Sequence, residues 1–174
     1  MERKPMQRRR NTTMKRYISI RSLTLAAMVA SLYIALTLVF QPISFQQVQF
    51  RISEALTLLP VLFAEAVPGL AAGCLISNLL AGANPYDVVF GTLATLLAAI
   101  LSRKLRRNAW LAALPPVVCN GVIIGLVLTY AYGIDLLWLN ILTVSFGQAV
   151  VCYALGVPMV KALEKMELPL WHDK

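Results

Sequence analysis

Six apolar runs make up most of the chain, and they restrict its fold more than any other feature. The runs lie at about 22–40, 52–67, 68–83, 86–102, 110–132 and 136–160. Of the 174 residues, 59% are hydrophobic and only 14% are charged, a balance that is foreign to soluble domains. A hydrocarbon core about 30 Å thick requires roughly 20 helical residues per span, so the second, third and fourth runs are short. Because the period-two alternation of a membrane barrel is absent, the sequence predicts an all-α membrane protein.

The positions of the basic residues determine how many times the chain crosses the membrane. Three groups of Lys and Arg flank the apolar runs: Arg3, Lys4, Arg8, Arg9, Arg10, Lys15, Arg16 and Arg21; Arg103, Lys104, Arg106 and Arg107; Lys161, Lys165 and Lys174. The positive-inside rule places all three groups in the cytoplasm. This is possible only if a turn at Pro68–Gly69 divides 52–83 into two spans. We therefore expect six transmembrane helices with both termini cytoplasmic, and Arg51 alone among the basic residues on the outer side.

These spans predict one membrane domain with two cytoplasmic tails. A basic N-terminal tail covers residues 1–20, the six-helix domain covers 21–164, and a C-terminal tail covers 165–174. The net charge of +8 belongs to the flanks, which orient the protein and contact anionic lipid. It therefore does not indicate nucleic-acid binding. The first run has no cleavage site before Gln41 and is interpreted as a retained span.

Residues for common catalytic chemistry are missing from the apolar runs. The only histidine, His172, lies in the C-terminal tail, so a Ser-His or Cys-His pair within the membrane is excluded. The chain contains neither HExxH nor the phosphate-binding pattern GxxxxGK[ST]. Cys74, Cys119 and Cys152 lack the paired spacing of disulfides or zinc sites. We expect a protein that is not an enzyme and has no cofactor or metal ion.

Polar and aromatic residues collect in the outer half of the predicted bundle. The stretch FQQVQFRISEALTLLP, residues 45–60, places Arg51 and Glu54 at the mouth of an apolar run, where an ionisable group generally marks a functional site. On the alternating topology the same half contains Gln46, Gln47, Gln49, Asn78, Tyr86, Asp87, Tyr130, Tyr132, Asp135, Trp138, Asn140 and Gln148. Such convergence is typical of a ligand pocket that opens outward.

Two segments, QFRISEALTLLP (49–60) and DVVFGTLATLLAA (87–99), resemble the QueT family of queuosine-precursor transporters. The likeness extends from about Ile20 to Glu164. It implies the substrate-binding S component of an energy-coupling-factor (ECF) transporter, a six-helix bundle in a prokaryotic-type cell membrane. The implied ligand is a 7-deazaguanine such as 7-aminomethyl-7-deazaguanine, captured from outside. The implied partners are a transmembrane T component and two cytoplasmic ATPase subunits.

Small residues on the first predicted helix have two interpretations. Ala26 and Ala30 form an AxxxA pair with Ala27 and Ser31 beside it, and this spacing lets helix backbones approach closely. The resemblance implies that this face binds the T component, and internal packing is the alternative. Internal packing is favoured for two glycine pairs of the same spacing: Gly69–Gly73 and Gly121–Gly125.

The chemistry of a 7-deazaguanine implies roles for the polar residues. Its base-pairing edge presents adjacent N–H donors, for which a carboxylate is the natural acceptor because charge-assisted hydrogen bonds are strong. Glu54 is the first candidate for that edge, and Asp87 is the candidate for the ligand's amine. Asn78, Asn140 and Gln148 are candidates for the carbonyl and ring nitrogens. The candidates for stacking on the base are Tyr86, Tyr130 and Trp138.

Each assignment has a structural alternative. Arg51 and Glu54, three residues apart, suit an ion pair at a helix start, in which Arg51 orients Glu54 and need not contact the ligand. Asp87 suits a helix cap equally well, and Asn120 is favoured as an interhelical hydrogen bond. Three aromatic residues suit an interfacial belt as well as a stacking role: Tyr130, Tyr132 and Trp138.

Two other functions compete with the S component. A self-sufficient proton-coupled carrier would use Glu54 or Asp87 as its proton-binding group, but the sequence shows no inverted repeat. An intramembrane enzyme or a scaffold without ligand is the third hypothesis. An enzyme of this sequence would have no histidine in any span, although an aspartyl-type mechanism that uses a carboxylate stays open. Whether the 41–50 loop covers the pocket is left open as well.

Overall fold

The computed structural model describes residues 20–44 and 50–166, and every regular element in those residues is helical. The long helices are α1 (Ile20–Val39), α2 (Ala66–Leu80), α3 (a π-helical turn Asp87–Gly91 followed by Thr92–Lys104), α4 (Ala109–Tyr130) and α5 (Leu137–Lys165). A short helix (Gln41–Ser44) and a 3-10 helix (Ile52–Val61) lie between α1 and α2. The prediction of an all-α protein is confirmed.

Three of the described helices, α1, α4 and α5, are long and apolar enough to cross a membrane. The 3-10 helix and α2 are shorter apolar helices. Six spans with cytoplasmic termini therefore stay a prediction. Residues 1–19 and 167–174, which make up most of the two predicted tails, lie outside the described residues, as do Gln46, Gln47 and Gln49.

The 3-10 helix lies at the centre of the bundle. Its residues from Ser53 to Val61 are buried, and it packs against α1, α3 and α5. Ten residues is long for a 3-10 helix, because runs of more than three or four are uncommon. At about 2.0 Å per residue it extends about 20 Å, compared with about 15 Å for an α-helix of equal length. This geometry lets a short segment reach further across the bundle.

The turn after the 3-10 helix differs from its predicted position. We expected Pro68–Gly69 to divide the apolar run 52–83, but the chain turns at residues 62–65 instead. Pro68 lies in the first turn of α2. A proline is tolerated there because the N–H group that it lacks would have no partner within the helix.

Glycines let α1 and α2 approach each other closely. A β-carbon at Gly69 would lie 2.5 Å from the carbonyl oxygen of Ala26, and one at Gly73 would lie 3.1 Å from the Cα atom of Ala30. Both contacts are with backbone atoms, which move only if the whole helix moves. The two small-residue pairs therefore pack against each other within the bundle.

The residues predicted to bind the T component lie on two different faces of α1. Ala26 and Ala30 are partly buried against α2, whereas Ala27 and Ser31 are exposed. The AxxxA pair thus has the internal packing role that was its alternative. Binding of a T component stays a prediction, and the free surface for it is the face that carries Ala27 and Ser31.

Apart from Arg51, the described basic residues collect at one end of the bundle. Arg103 Nη1 donates to the carbonyl oxygens of Pro60 at 2.8 Å and Val61 at 3.2 Å, and so satisfies the end of the 3-10 helix. At the same end Lys161 Nζ lies 4.9 Å from the centre of the Trp110 ring. The remaining members are Arg21, Lys104, Arg106, Arg107 and Lys165. The opposite end is formed by the last turn of α1, the α2–α3 turn and the loop after α4.

The close approach of α1 and α2 predicts that Gly69→Val is destabilising. The added side chain meets the Ala26 carbonyl oxygen and forces the helices apart, so we expect the free energy of unfolding to fall by about 1–3 kcal/mol. The measurement is thermal or denaturant unfolding in detergent, followed by circular dichroism. Ala72→Val is the matched control, because Ala72 is exposed on the same helix. Equal stability of the two variants would contradict the packing described.

Candidate ligand-binding site

The carboxyl group of Glu54 is fully buried and is surrounded by hydrogen-bond donors. Its Oε1 atom accepts from the Tyr33 hydroxyl at 2.5 Å and from the Thr95 hydroxyl at 3.2 Å. Its Oε2 atom accepts from Asn120 Nδ2 at 3.2 Å and from Gln148 Nε2 at 3.3 Å. The donors belong to α1, α3, α4 and α5. Glu54 therefore connects four helices to the 3-10 helix.

The local geometry explains why this carboxyl group is tolerated in an apolar interior. A buried charge is strongly unfavourable unless hydrogen bonds replace those of water. Four donors around Glu54 take the place of water at its two oxygens. Because a 3-10 helix has three residues per turn, Arg51, Glu54 and Thr57 lie in one row along it. The Thr57 hydroxyl donates to the Glu54 carbonyl oxygen at 2.5 Å, which fixes the backbone that carries the carboxyl group.

Arg51, Asn78 and Asp87 form a second buried polar cluster. Arg51 Nη2 donates to Asn78 Oδ1 at 2.9 Å, and Asn78 Nδ2 donates to the Asp87 carbonyl oxygen at 3.2 Å. The positive charge of Arg51 interacts with the negative charges of both Glu54 and Asp87. The two clusters therefore belong to one polar region that Arg51 connects.

Gly91 provides the space for this second cluster. A β-carbon at Gly91 would lie 3.3 Å from Asn78 Nδ2 and 3.8 Å from Arg51 Nη1. Gly91 ends the π-helical turn that opens α3, and such turns frequently occur at functional sites. The glycine therefore keeps α3 close to the polar side chains of its neighbours.

Tyr132 connects the second cluster to a cavity at the end of the bundle opposite the basic residues. Its hydroxyl donates a hydrogen bond to Asp87 Oδ2. Partial burial and this hydrogen bond raise the pKa of Tyr132 to about 12, so the hydroxyl keeps its proton at neutral pH. Tyr132 also lines a cavity of about 590 Å³, between the end of α1 and the α2–α3 turn. This volume is in the usual range for small-molecule sites.

The structure brings most of the predicted hydrogen-bonding residues together. Those buried within the polar region are Arg51, Glu54, Asn78, Asp87 and Gln148. Asn140 is buried elsewhere. Its Nδ2 atom donates to the Thr129 hydroxyl and the Ile134 carbonyl oxygen, both at 2.9 Å, and so holds the loop after α4.

The predicted stacking residues lie outside this polar region. Tyr86 is 56% exposed, Tyr130 79% and Trp138 61%. Tyr86 and Tyr130 line an apolar groove of about 660 Å³ between α3 and α4, on the surface of the bundle. The positions of Tyr130 and Trp138 suit the interfacial aromatic belt that was their alternative to stacking. Base stacking by the three residues stays a prediction.

Three partners of Glu54 were not assigned to the site from the sequence: Tyr33, Thr95 and Asn120. Asn120 was predicted to make an interhelical hydrogen bond, and it does so with Glu54. Tyr33 stands within an apolar run, and a polar group at that depth is the one signal that pointed to it. Thr95 gave no such signal, because threonine is common in apolar helices and usually bonds to its own backbone.

A family model described as QueT transporter matches residues 23–165, which is most of the chain. The matched range contains every residue of the two polar clusters. No curated protein and no solved structure gives a significant match.

The hydrogen bonds at Glu54 predict a large stability loss in Glu54→Ala. The substitution leaves four buried donors without their acceptor, so we expect the free energy of unfolding to fall by about 3–5 kcal/mol. Unfolding of ligand-free protein in detergent is the measurement. Glu65→Ala is the matched control, because the partly buried Glu65 carboxylate accepts one hydrogen bond from Ser22, at 3.3 Å. A Glu54 variant as stable as this control would show that the four contacts contribute nothing.

Proposed function

Because the chain belongs to the QueT transporter family, we propose that it is the substrate-binding S component of an ECF-type transporter. It captures a queuosine precursor, a 7-deazaguanine such as 7-aminomethyl-7-deazaguanine, from outside the cell. Delivery to the cytoplasm then requires a transmembrane T component and two ATPase subunits. A requirement for separate ATPases agrees with the lack of the phosphate-binding pattern GxxxxGK[ST] in this sequence.

The buried acceptor system at Glu54 is the observation that supports this proposal most directly. Ionisable groups inside membrane domains are rare, and by default they mark substrate or ion sites. A dry site with fixed acceptors also discriminates strongly, because a ligand without matching donors leaves the site's polar groups unpaired. A 7-deazaguanine has the adjacent N–H donors that such a site requires.

The second cluster supplies the remaining contacts in this proposal. Asp87 binds the cationic amine of the ligand, which replaces the Tyr132 hydroxyl as the partner of Oδ2. Asn78 and Arg51 position Asp87 through the hydrogen bonds described above. The cavity beside Tyr132 is then the entrance to the site. It faces outward if the basic end of the bundle is cytoplasmic.

The exposed face of α1 is the proposed contact with the T component. Helix α1 packs mainly against α2 and the 3-10 helix, so its other faces are free of contacts within the described residues. Ala27 and Ser31 lie on that free surface. Small side chains there allow a partner helix to approach closely.

The contact between Asp87 and the ligand's amine is tested with a pair of ligands. Asp87→Asn removes a charge-assisted hydrogen bond, so we expect roughly tenfold to 100-fold weaker binding of 7-aminomethyl-7-deazaguanine. Binding of 7-deazaguanine, which lacks the cationic aminomethyl group at the 7-position, should change by less than about threefold, because it makes no such bond. Isothermal titration calorimetry gives both affinities. Asp135→Asn is the control, because Asp135 is an exposed carboxylate in the loop after α4. Equal losses for both ligands would contradict the role given to Asp87.

Uptake into vesicles separates the S component from the self-sufficient carrier. The S component accumulates ligand only when the T component and both ATPases are present with ATP. Glu54 and Asp87 are the groups on which the carrier hypothesis depends. Uptake by this chain alone, abolished by collapse of the proton gradient, would favour the carrier and contradict the proposal.

A further inference from the structure

The Asn120 side chain has a buried hydrogen-bond acceptor that is not in use. Asn120 is 3% exposed, and its Nδ2 atom donates to Glu54 Oε2 at 3.2 Å. Its Oδ1 atom has no hydrogen-bond partner among residues 20–44 and 50–166. The large majority of buried side-chain polar atoms in proteins have a partner, so an unpaired carbonyl oxygen beside a carboxylate calls for a functional explanation.

The orientation of this amide is fixed by its neighbour. Exchanging the oxygen and nitrogen of Asn120 would place a carbonyl oxygen against the Glu54 carboxylate, and two acceptors would then face each other. Gln148 makes the equivalent contact with Oε2, yet no atom of its amide is both buried and without a partner. The open acceptor is thus particular to Asn120 and does not follow simply from bonding to Glu54.

Three groups at Glu54 Oε2 offer the types of hydrogen bond that a ligand can match. Gln148 presents an N–H donor, Glu54 presents the Oε2 acceptor, and Asn120 presents the Oδ1 acceptor. The base-pairing edge of a 7-deazaguanine carries a carbonyl oxygen, a ring N–H and an exocyclic amino group, in that sequence. One donor and two acceptors on the protein therefore complement one acceptor and two donors on the ligand's edge.

We propose that Asn120 is a specificity-determining residue whose Oδ1 atom accepts from the exocyclic 2-amino group of the ligand. This inference rests on the proposed function, because it concerns how the site reads a 7-deazaguanine. Glu54 offers about four acceptor positions, and four donors occupy them. Asn120 Oδ1 can therefore accept a ligand N–H without the loss of an existing hydrogen bond. The ring N–H then replaces the 3.3 Å bond from Gln148, whose freed amide donates to the ligand's carbonyl oxygen.

The test compares two bases that differ only at the 2-position, 7-deazaguanine and 7-deazahypoxanthine, which lacks the 2-amino group. We expect the wild-type protein to prefer 7-deazaguanine by roughly tenfold to 100-fold, because the other base leaves Oδ1 unpaired. Asn120→Leu should reduce this preference to less than about threefold, since the acceptor is gone. Calorimetry on the full chain in detergent gives the four affinities.

Gln148→Leu is the matched control, because it also removes one donor to Oε2 but leaves Asn120 Oδ1 in place. It should weaken both bases by similar factors and preserve the preference. A general disturbance of Glu54 would instead change the preference equally in the two variants. If Asn120→Leu does not fold, as judged by circular dichroism and gel filtration, Asn120→Ala replaces it, because alanine is smaller and its side chain has no hydrogen-bond acceptor.

The outcomes separate this inference from the proposed function. A wild-type protein that binds neither base contradicts the proposed function itself. A wild-type protein that binds both bases equally, or an Asn120 variant that keeps the full preference, overturns the role of Asn120 alone. In the latter case Glu54 reads both ligand donors without help from Asn120.

Discussion

The burial of one carboxyl group, that of Glu54, sets the conditions that the rest of the bundle meets. Moving this group out of water is tolerable only with hydrogen bonds at both oxygens, and four different helices supply them. Displacing any of those helices would leave the carboxyl group short of a donor. The packing of the domain and the chemistry of its site therefore depend on the same contacts.

Much of the architecture could be predicted because apolar runs and caps are local signals. The interval from Asn108 to Tyr130 is an example: the Asn108 side chain accepts from Trp110 N at 2.9 Å and begins α4 close to its predicted position. The 3-10 winding of Ile52–Val61 could not be predicted. An α-helix and a 3-10 helix bury the same apolar residues, and the tighter winding depends on the space between neighbouring helices. The turn was expected at Pro68–Gly69 because the positive-inside rule requires a turn within 52–83, and that rule does not fix the exact residue.

The candidate site was predictable where it involved charge and not where it involved orientation. Arg51 and Glu54 stand out because ionisable residues are rare in apolar sequence, and both lie in the polar region. Tyr130 and Trp138 have the right composition for stacking, but the rotation of their helices turns them outward. That rotation is set by glycines packing against distant residues, such as Gly125 against Ile141. Contacts of that kind are not visible in a local pattern.

The order of the Glu54 partners along the chain has a consequence for how the protein is made. Tyr33 precedes Glu54, whereas Thr95, Asn120 and Gln148 follow it. During synthesis only one of the four donors is therefore made before the carboxyl group itself. The others arrive with later helices, and the last belongs to α5. All four hydrogen bonds can form only when α5 is in place, so a chain that ends before Gln148 lacks one donor at this buried carboxyl group.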